Sequence, residues 1–257
     1  MGFNPVFTPS WSDVECYKRL RSLGMDLNQR MVDTIPSKTI PAVGEAIGIL
    51  HKGVLVFETE DTPGVLMDSC LYDWPIEGKS CVQRYAETHT FPLGSDEHEL
   101  MQASLRAEYR ILVPQALREG VGVYFDDAFS GDQFFVMDIG LSQSRLDPNV
   151  PFATRIIPLG GYWMTGGAGL PLLPEVRETV YRRLEAEGVL VDGNITDRRR
   201  LARITVRACL KAGAAEQVTY ENLEGTAQQN GAVGYPPRRS FPTPRRNDPC
   251  PCGSGKK

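Results

Sequence analysis

The chain has 257 residues, 41% of them hydrophobic and 23% charged, with a formal charge of −4. That balance excludes a fibrous or wholly disordered chain and suits one large domain or two small ones. No apolar run approaches the roughly 18 residues of a membrane span.

The N-terminal stretch lacks a basic segment followed by an apolar core, so no secretory signal is expected. Gly2 is not followed by Ser or Thr at position 6, as myristoylation would require. A cytoplasmic location is therefore expected. Cys16, Cys70, Cys81 and Cys209 are widely spaced among apolar residues and read as small buried hydrophobes. Only Cys250 and Cys252 form a cluster. Charge is unevenly placed: residues 197–257 hold 12 Lys/Arg against 5 Asp/Glu, so an acidic body carries a basic C-terminal quarter.

In chain order, residues 1–10 read as extended, with prolines at 5 and 9. Ser12 and Glu15 form a capping-box pattern for a helix running to about Leu23, where Gly24 stops it. Short helices are expected over 26–34 and 41–50. VLVFETE from Val54 and VLMDSCLYD from Val65 read as two strands of a hairpin turning at Pro63-Gly64. Residues 80–87 read as a weak helix. Ser95 caps a helix whose first turn carries Asp96, Glu97 and Glu99. Leu100, Ala103, Ala107 and Ile111 continue it to Gly120, with a kink or break at Pro114.

VGVYFDD and FFVMDIG, joined by AFSGD, are the strongest hairpin signal. FATRIIPL adds a strand, and the glycine-rich GGYWMTGGAGLPLLP closes the sheet region. Helices are expected over 174–187 and 197–212. Hairpins outnumber crossovers, so the class is α+β with a mainly antiparallel sheet and flanking helices. Three regions follow: an α+β body over 1–213, a basic linker over 214–244, and a terminal motif over 245–257. The linker has too little large apolar surface to offset its ordering entropy and is expected to be disordered.

Several features of the body have a chemical reading beside a structural one. Glu58, Glu60, Asp61, Asp68 and Asp73 fall near the first expected hairpin; Asp126, Asp127, Asp132 and Asp138 fall near the second. Carboxylates at strand ends can hold Mg²⁺ for hydrolysis, or simply stabilise turns and face solvent. Asp138 stands out as an acid inside an apolar strand. His51, His89 and His98 are the only histidines; His89 and His98 flank a loop with one proline and one glycine, which is thin grounds for a metal site. Asp-Thr-Pro-Gly at 61–64 departs from the aspartic-protease triplet. No Gly-x-Ser-x-Gly elbow is present. Residues 160–169, with Tyr162 and Trp163, offer a backbone cradle or a stacking surface, or an ordinary glycine-rich turn region. Their spacing is not a dinucleotide fingerprint. Arg200, Arg203, Arg207 and Lys211 share one helix face, with Arg199 nearby; they suit phosphate contacts to nucleic acid, or a solvated face.

The tail is more definite. In RNDPCPCGSGKK, residues 246–257, proline fixes the backbone between two thiols so that Cys250 and Cys252 can bite one metal ion. Lys256 and Lys257 favour the thiolates that bind zinc. GSGKK lacks the preceding strand and following helix of a phosphate loop. The stretch resembles the first half of the SEC-C motif, a zinc-binding module found at the C-terminus of the SecA translocase ATPase and on other bacterial proteins. The resemblance covers about 12 residues and implies zinc ligation by Cys250 and Cys252, with docking on a protein or ribosomal partner. The family pattern continues with an aromatic residue and a Cys-Cys or Cys-His pair, so the remaining ligands are expected beyond Lys257, the alternative being that they come from elsewhere. The resulting expectation is a binding or adaptor protein. The alternative is a metal-dependent hydrolase built on the carboxylates of the body; enzymatic activity stays open.

Overall fold

The computed structural model describes residues 6–59, 61–144 and 146–213. The linker and the terminal motif therefore lie outside the described residues, as do Glu60, Cys250 and Cys252.

Helix α1, Trp11–Val32, starts two residues earlier than the Ser12 pattern implies. Ser10 is the N-cap, and it forms the capping box with Asp13. The Asp13 amide donates to Ser10 Oγ at 3.3 Å, and the Ser10 amide donates to the Asp13 carboxylate at 2.7 Å. Gly24 does not stop the helix. Its cost of about 1 kcal/mol relative to alanine is outweighed by one apolar face running through Val14, Tyr17, Leu20, Leu27 and Met31, all buried. The two expected helices are thus one.

Helix α2 spans Thr39–Ile47 and ends at Gly48, whose φ of 89° suits the left-handed cap. Strands β1, Leu50–His51, and β2, Val54–Leu55, form a small hairpin turning at Lys52 and Gly53, both at positive φ. This replaces the expected pairing of Val54 with Val65. The second of those segments is helical: α3 spans Thr62–Asp68, and a π-helical stretch continues through Ser69–Asp73. Pro63 lies in the first turn of α3, where a missing N–H costs nothing. Val65, Leu66, Cys70 and Leu71 all bury their side chains, and a helix presents that set to the core better than an alternating strand.

Helix α4, Cys81–Thr88, is capped by Ser80 with Gln83 completing the box. Helix α5 spans only Asp96–Leu105. The expected helix to Gly120 gives way to strand β3, Glu108–Arg118. Pro114 marks a register shift in that strand rather than a helix kink, since a bulge tolerates its missing donor.

Strands β4, Gly122–Asp127, and β5, Gln133–Met137, form the expected hairpin, with Tyr124 opposite Phe135. A short helix α6, Ile139–Ser142, precedes β6, Phe152–Leu159, and β7, Tyr162–Pro171. The five strands β3 to β7 close into a barrel in the order β3-β4-β5-β7-β6. Four pairings are antiparallel; β5 and β7 pair in parallel through Val136–Trp163 and Met137–Met164. The class is α+β. The sheet is mixed and closed, so its central strands lack free edges. Helix α7, Pro174–Ala186, a hairpin of β8, Leu190–Val191, and β9, Asn194–Ile195, and helix α8, Arg198–Lys211, complete the body.

Strand alternation sorts the core into three parts. Leu112, Val123, Phe125, Phe134, Val136, Phe152 and Ile156 fill the barrel. Tyr124, Phe135, Met137 and Ile157 face outward against α1, α4 and α5. Tyr109, Ile111, Ala153 and Leu170 face outward against α2, α3, α7 and α8. Among the described residues no helix is long and apolar enough to cross a membrane.

The glycines of β7 make room for neighbours. A Cβ on Gly169 would lie 2.1 Å from the Phe152 ring, which sits in the barrel interior. Gly169→Ala should therefore destabilise the fold by about 1–3 kcal/mol. Urea denaturation checks this; a midpoint equal to that of the unsubstituted protein would contradict the packing described.

Candidate functional site

Arg155 occupies a place on β6 where the surrounding strand is apolar. Its side chain is 4% exposed. An isolated guanidinium so deep would be prohibitively costly, and two acids answer it. Arg155 Nε donates to both oxygens of Asp68 at 3.0 Å, and Nη2 donates to Asp68 Oδ2 at 3.0 Å and to Asp73 Oδ2 at 2.5 Å. Both carboxylates come from the helical stretch that the sequence suggested as a strand. The helix places them five residues apart on the same side as Arg155. The Tyr72 ring lies 4.3 Å from the guanidinium carbon and the Tyr109 ring 5.6 Å. Gly166 permits the approach: a Cβ there would lie 3.2 Å from Arg155 Cβ and 3.3 Å from Asp68 Oδ1.

The electrostatics follow from burial. Desolvation alone would lower the Arg155 pKa; Asp68 and Asp73 reverse that and hold it above its ordinary value. Desolvation pushes the Asp73 carboxyl above the usual carboxylate range, against the pull of Arg155 and with the added repulsion of Asp68.

A cavity of about 150 Å³ adjoins this cluster, with Arg155, Asp73 and Tyr72 on one wall. Gln83 and Ser80, from the start of α4, form another part. Glu108 and Tyr109 enter from β3, and Arg198 and Arg199 from the first turn of α8. Asp197 caps that helix, accepting the amides of Arg199 at 2.9 Å and Arg200 at 3.0 Å.

A second buried ion pair stands beside the cavity. Arg110 reaches Asp127 Oδ2 at 2.8 Å and Glu108 Oε2 at 2.7 Å. The Asp127 side chain is fully buried and also accepts the amides of Phe129 and Ser130, each at 2.9 Å. Burial pushes the Asp127 carboxyl up, but the two amides and Arg110 overcome this and hold it below 3.8.

The expected site residues are distributed as follows. Asp68 and Asp73 converge, but on a guanidinium. Asp127 is committed to Arg110 and to the turn. Asp138 leaves the strand and caps α6: it accepts the Leu141 amide at 3.0 Å and the Thr165 hydroxyl. Asp126 and Asp132 flank the β4–β5 turn, Asp61 precedes α3, and Glu58 is exposed. His51 and His89 are exposed, and His89 stacks on Tyr85 at 3.8 Å. His98 sits in the first turn of α5. Among the described residues no group of three or more His, Cys, Asp or Glu is arranged to hold a metal ion. Residues 160–169 form the connection into β7 and most of that strand, with Trp163 edge-on to Phe134 at 5.2 Å, rather than an anion cradle. Arg200 pairs with Glu187 at 3.3 Å, while Arg203, Arg207 and Lys211 are exposed on α8.

Arg155, Arg110 and Arg198 are the functional candidates that the sequence reading passed over. The signal was present for two of them. FATRIIPL and EYRILV each carry one arginine within an apolar strand, the same pattern that singled out Asp138.

Removing one member of the Arg155 cluster should be costly. Asp68→Asn and Arg155→Met should each lower stability by about 3–5 kcal/mol, because each leaves a buried charge without its partner. Urea denaturation reads this, and losses under 1 kcal/mol would show the cluster to be replaceable. Asp127, whose pKa is lowered by folding, contributes stability in full above 3.8 that is lost as pH falls through its folded value. Asp127→Asn should therefore flatten the stability profile below about pH 4; an unchanged acid limb would contradict the assignment.

Comparison with known proteins places the chain as follows. Residues 246–257 match the SEC-C motif. A stretch of 87 residues, 34% of this chain, is 30% identical to the protein translocase subunit SecA of Prosthecochloris aestuarii. That stretch amounts to 8% of the SecA subunit's length. No solved structure matches. Residues 12–187, which include the barrel and the Arg155 cluster, match a family of unknown function, DUF7986, and the chain belongs to that family.

Proposed function

We propose that this protein is a cytoplasmic binding or adaptor protein whose C-terminal motif takes up zinc and docks on a protein or ribosomal partner. The single observation that carries this reading is the match of residues 246–257 to the SEC-C motif, with Cys250 and Cys252 at its thiolate positions. The donor set fits a structural zinc site in kind. Thiolates are soft ligands, and the Cys-Pro-Cys spacing brings two of them to one ion. Four protein donors make a closed site, so Cys250 and Cys252 account for half of one.

The thiols of the body play a different part. Cys70, Cys81 and Cys209 are buried, and burial pushes the thiols of Cys70 and Cys209 up to about 12. They are packing residues. The exposed Arg203, Arg207 and Lys211 on α8 have no carboxylate within ion-pair distance among the described residues. That row is available to phosphates if the partner contains nucleic acid. A metal-dependent hydrolase is the less supported alternative. Of its candidate carboxylates, Asp68, Asp73 and Asp127 are committed to arginines and Asp138 to a helix cap.

Elemental analysis of the full gene product should find about one zinc per chain. Cys250→Ser and Cys252→Ser should each abolish it while leaving the far-UV circular dichroism of the body unchanged. A metal-free gene product, purified without chelator, would overturn the reading.

A further inference from the structure

The polar groups around the cavity are not equally occupied. Its acids are taken: Asp73 by Arg155 at 2.5 Å, and Glu108 by Arg110 at 2.7 Å. Its outer guanidinium groups hydrogen-bond no carboxylate among the described residues. Arg198 Nη1 is buried without a hydrogen-bond partner among the described residues, and the nearest carboxylate to it, on Asp127, stands at 3.9 Å. Arg199 reaches only Gln83 Oε1, at 3.5 Å. A guanidinium nitrogen withdrawn from water without a hydrogen-bond acceptor carries a desolvation cost, which a bound anion would offset. Burial, with repulsion from Arg110, pulls the Arg198 pKa down against the attraction of Asp127, Glu108 and Asp132.

We propose that this cavity binds a small oxyanion, a carboxylate or a phosphate, held by Arg198 and Arg199 against the wall formed by Gln83 and Tyr109. Two guanidinium groups offer the planar, forked donors that match carboxylate and phosphate oxygens. Tyr109 adds a buried hydroxyl that also lacks a partner among the described residues. The amides of Arg199 and Arg200 are already taken by Asp197, so side chains, not the helix terminus, make the contacts. The volume sets the size of the guest. A cavity of about 150 Å³ accommodates a molecule near the size of benzene. Inorganic phosphate or a short organic acid fits; a nucleotide does not. The Arg198 side chain is 32% exposed, so the cavity is reached from solvent beside it.

The test uses the complete chain. Thermal unfolding is followed while sodium phosphate or sodium malonate is titrated against sodium chloride at matched ionic strength, which removes general screening. At least one probe should raise the melting temperature saturably, and Arg198→Gln and Arg199→Gln should each weaken that response about tenfold or more. Saturation with phosphate alone assigns a phosphate ligand, with malonate alone a carboxylate, and with both the shared oxyanion chemistry. No saturable response from either probe would show that the cavity holds water only and would overturn the proposal. A response retained in both variants would overturn it as well. If a variant does not fold, arginine Nε–H resonances of the unsubstituted protein decide. Two should shift saturably with the active probe, and none shifting refutes the site. Zinc content is untouched by either outcome, so this proposal and the reading of the tail fail independently.

Discussion

One arginine ties the body together. Arg155 projects from a strand of the barrel into protein, and it can remain charged there only because Asp68 and Asp73 meet it. That requirement acts on the backbone. The segment carrying both acids must be helical at Ser69–Asp73 to bring them to one side, and its helix must lie against β6 and β7. Gly166 gives the space for that approach. The hydrophobic effect drives α3 onto the barrel through Val65, Leu66 and Cys70, but apolar contact is non-directional. The three-membered ion cluster supplies direction, since a slip of the helix would strand a charge in the core.

The cavity is a consequence of the same arrangement. Arg155 and Asp73 make one wall of it, and the start of α8 brings two more guanidinium groups to the other side. Arg110, Glu108 and Asp127 complete a ring of charge whose acids are already spent. The Arg198 and Arg199 guanidinium groups face that small space, and neither hydrogen-bonds a carboxylate among the described residues. The chemistry of such a place is recognition of an anion, not the assembly of a cation by several carboxylates, although the acid count of the sequence first suggests the latter. The body and the tail thus support different kinds of binding. The body holds a small cavity within a closed barrel and its helices. The tail carries Cys250 and Cys252 within its match to the SEC-C motif.

The sequence was most legible where local chemistry decides the outcome. The β4–β5 hairpin, the helices at Pro174–Ala186 and Arg198–Lys211, and the cap at Ser95 follow from turn residues, periodicity and a hydroxyl cap within a few positions. It was least legible at Val65–Asp73 and beyond Leu105. Val65, Leu66, Leu71 and Tyr72 fit a buried strand as well as a buried helix, because short apolar runs carry both patterns. Ala107 and Ile111 continue the period of α5, yet the chain leaves the helix at Arg106 and enters the barrel. Helix propensity over so few residues is a weak preference, and closure of a five-stranded sheet overrides it.

By itself, the sequence determined the α+β class, the strongest hairpin, the basic C-terminal helix and the zinc-type spacing of Cys250 and Cys252. These depend on neighbours in the chain, whose separation is fixed by covalent geometry. Only the tertiary structure decided that the sheet closes through one parallel pair, that Asp68 and Asp73 serve an arginine more than eighty positions away, and that Arg198 lines a cavity with one buried nitrogen lacking a hydrogen-bond partner among the described residues. Those outcomes are set by which charges burial brings within reach of one another, and distance along the chain carries no information about that.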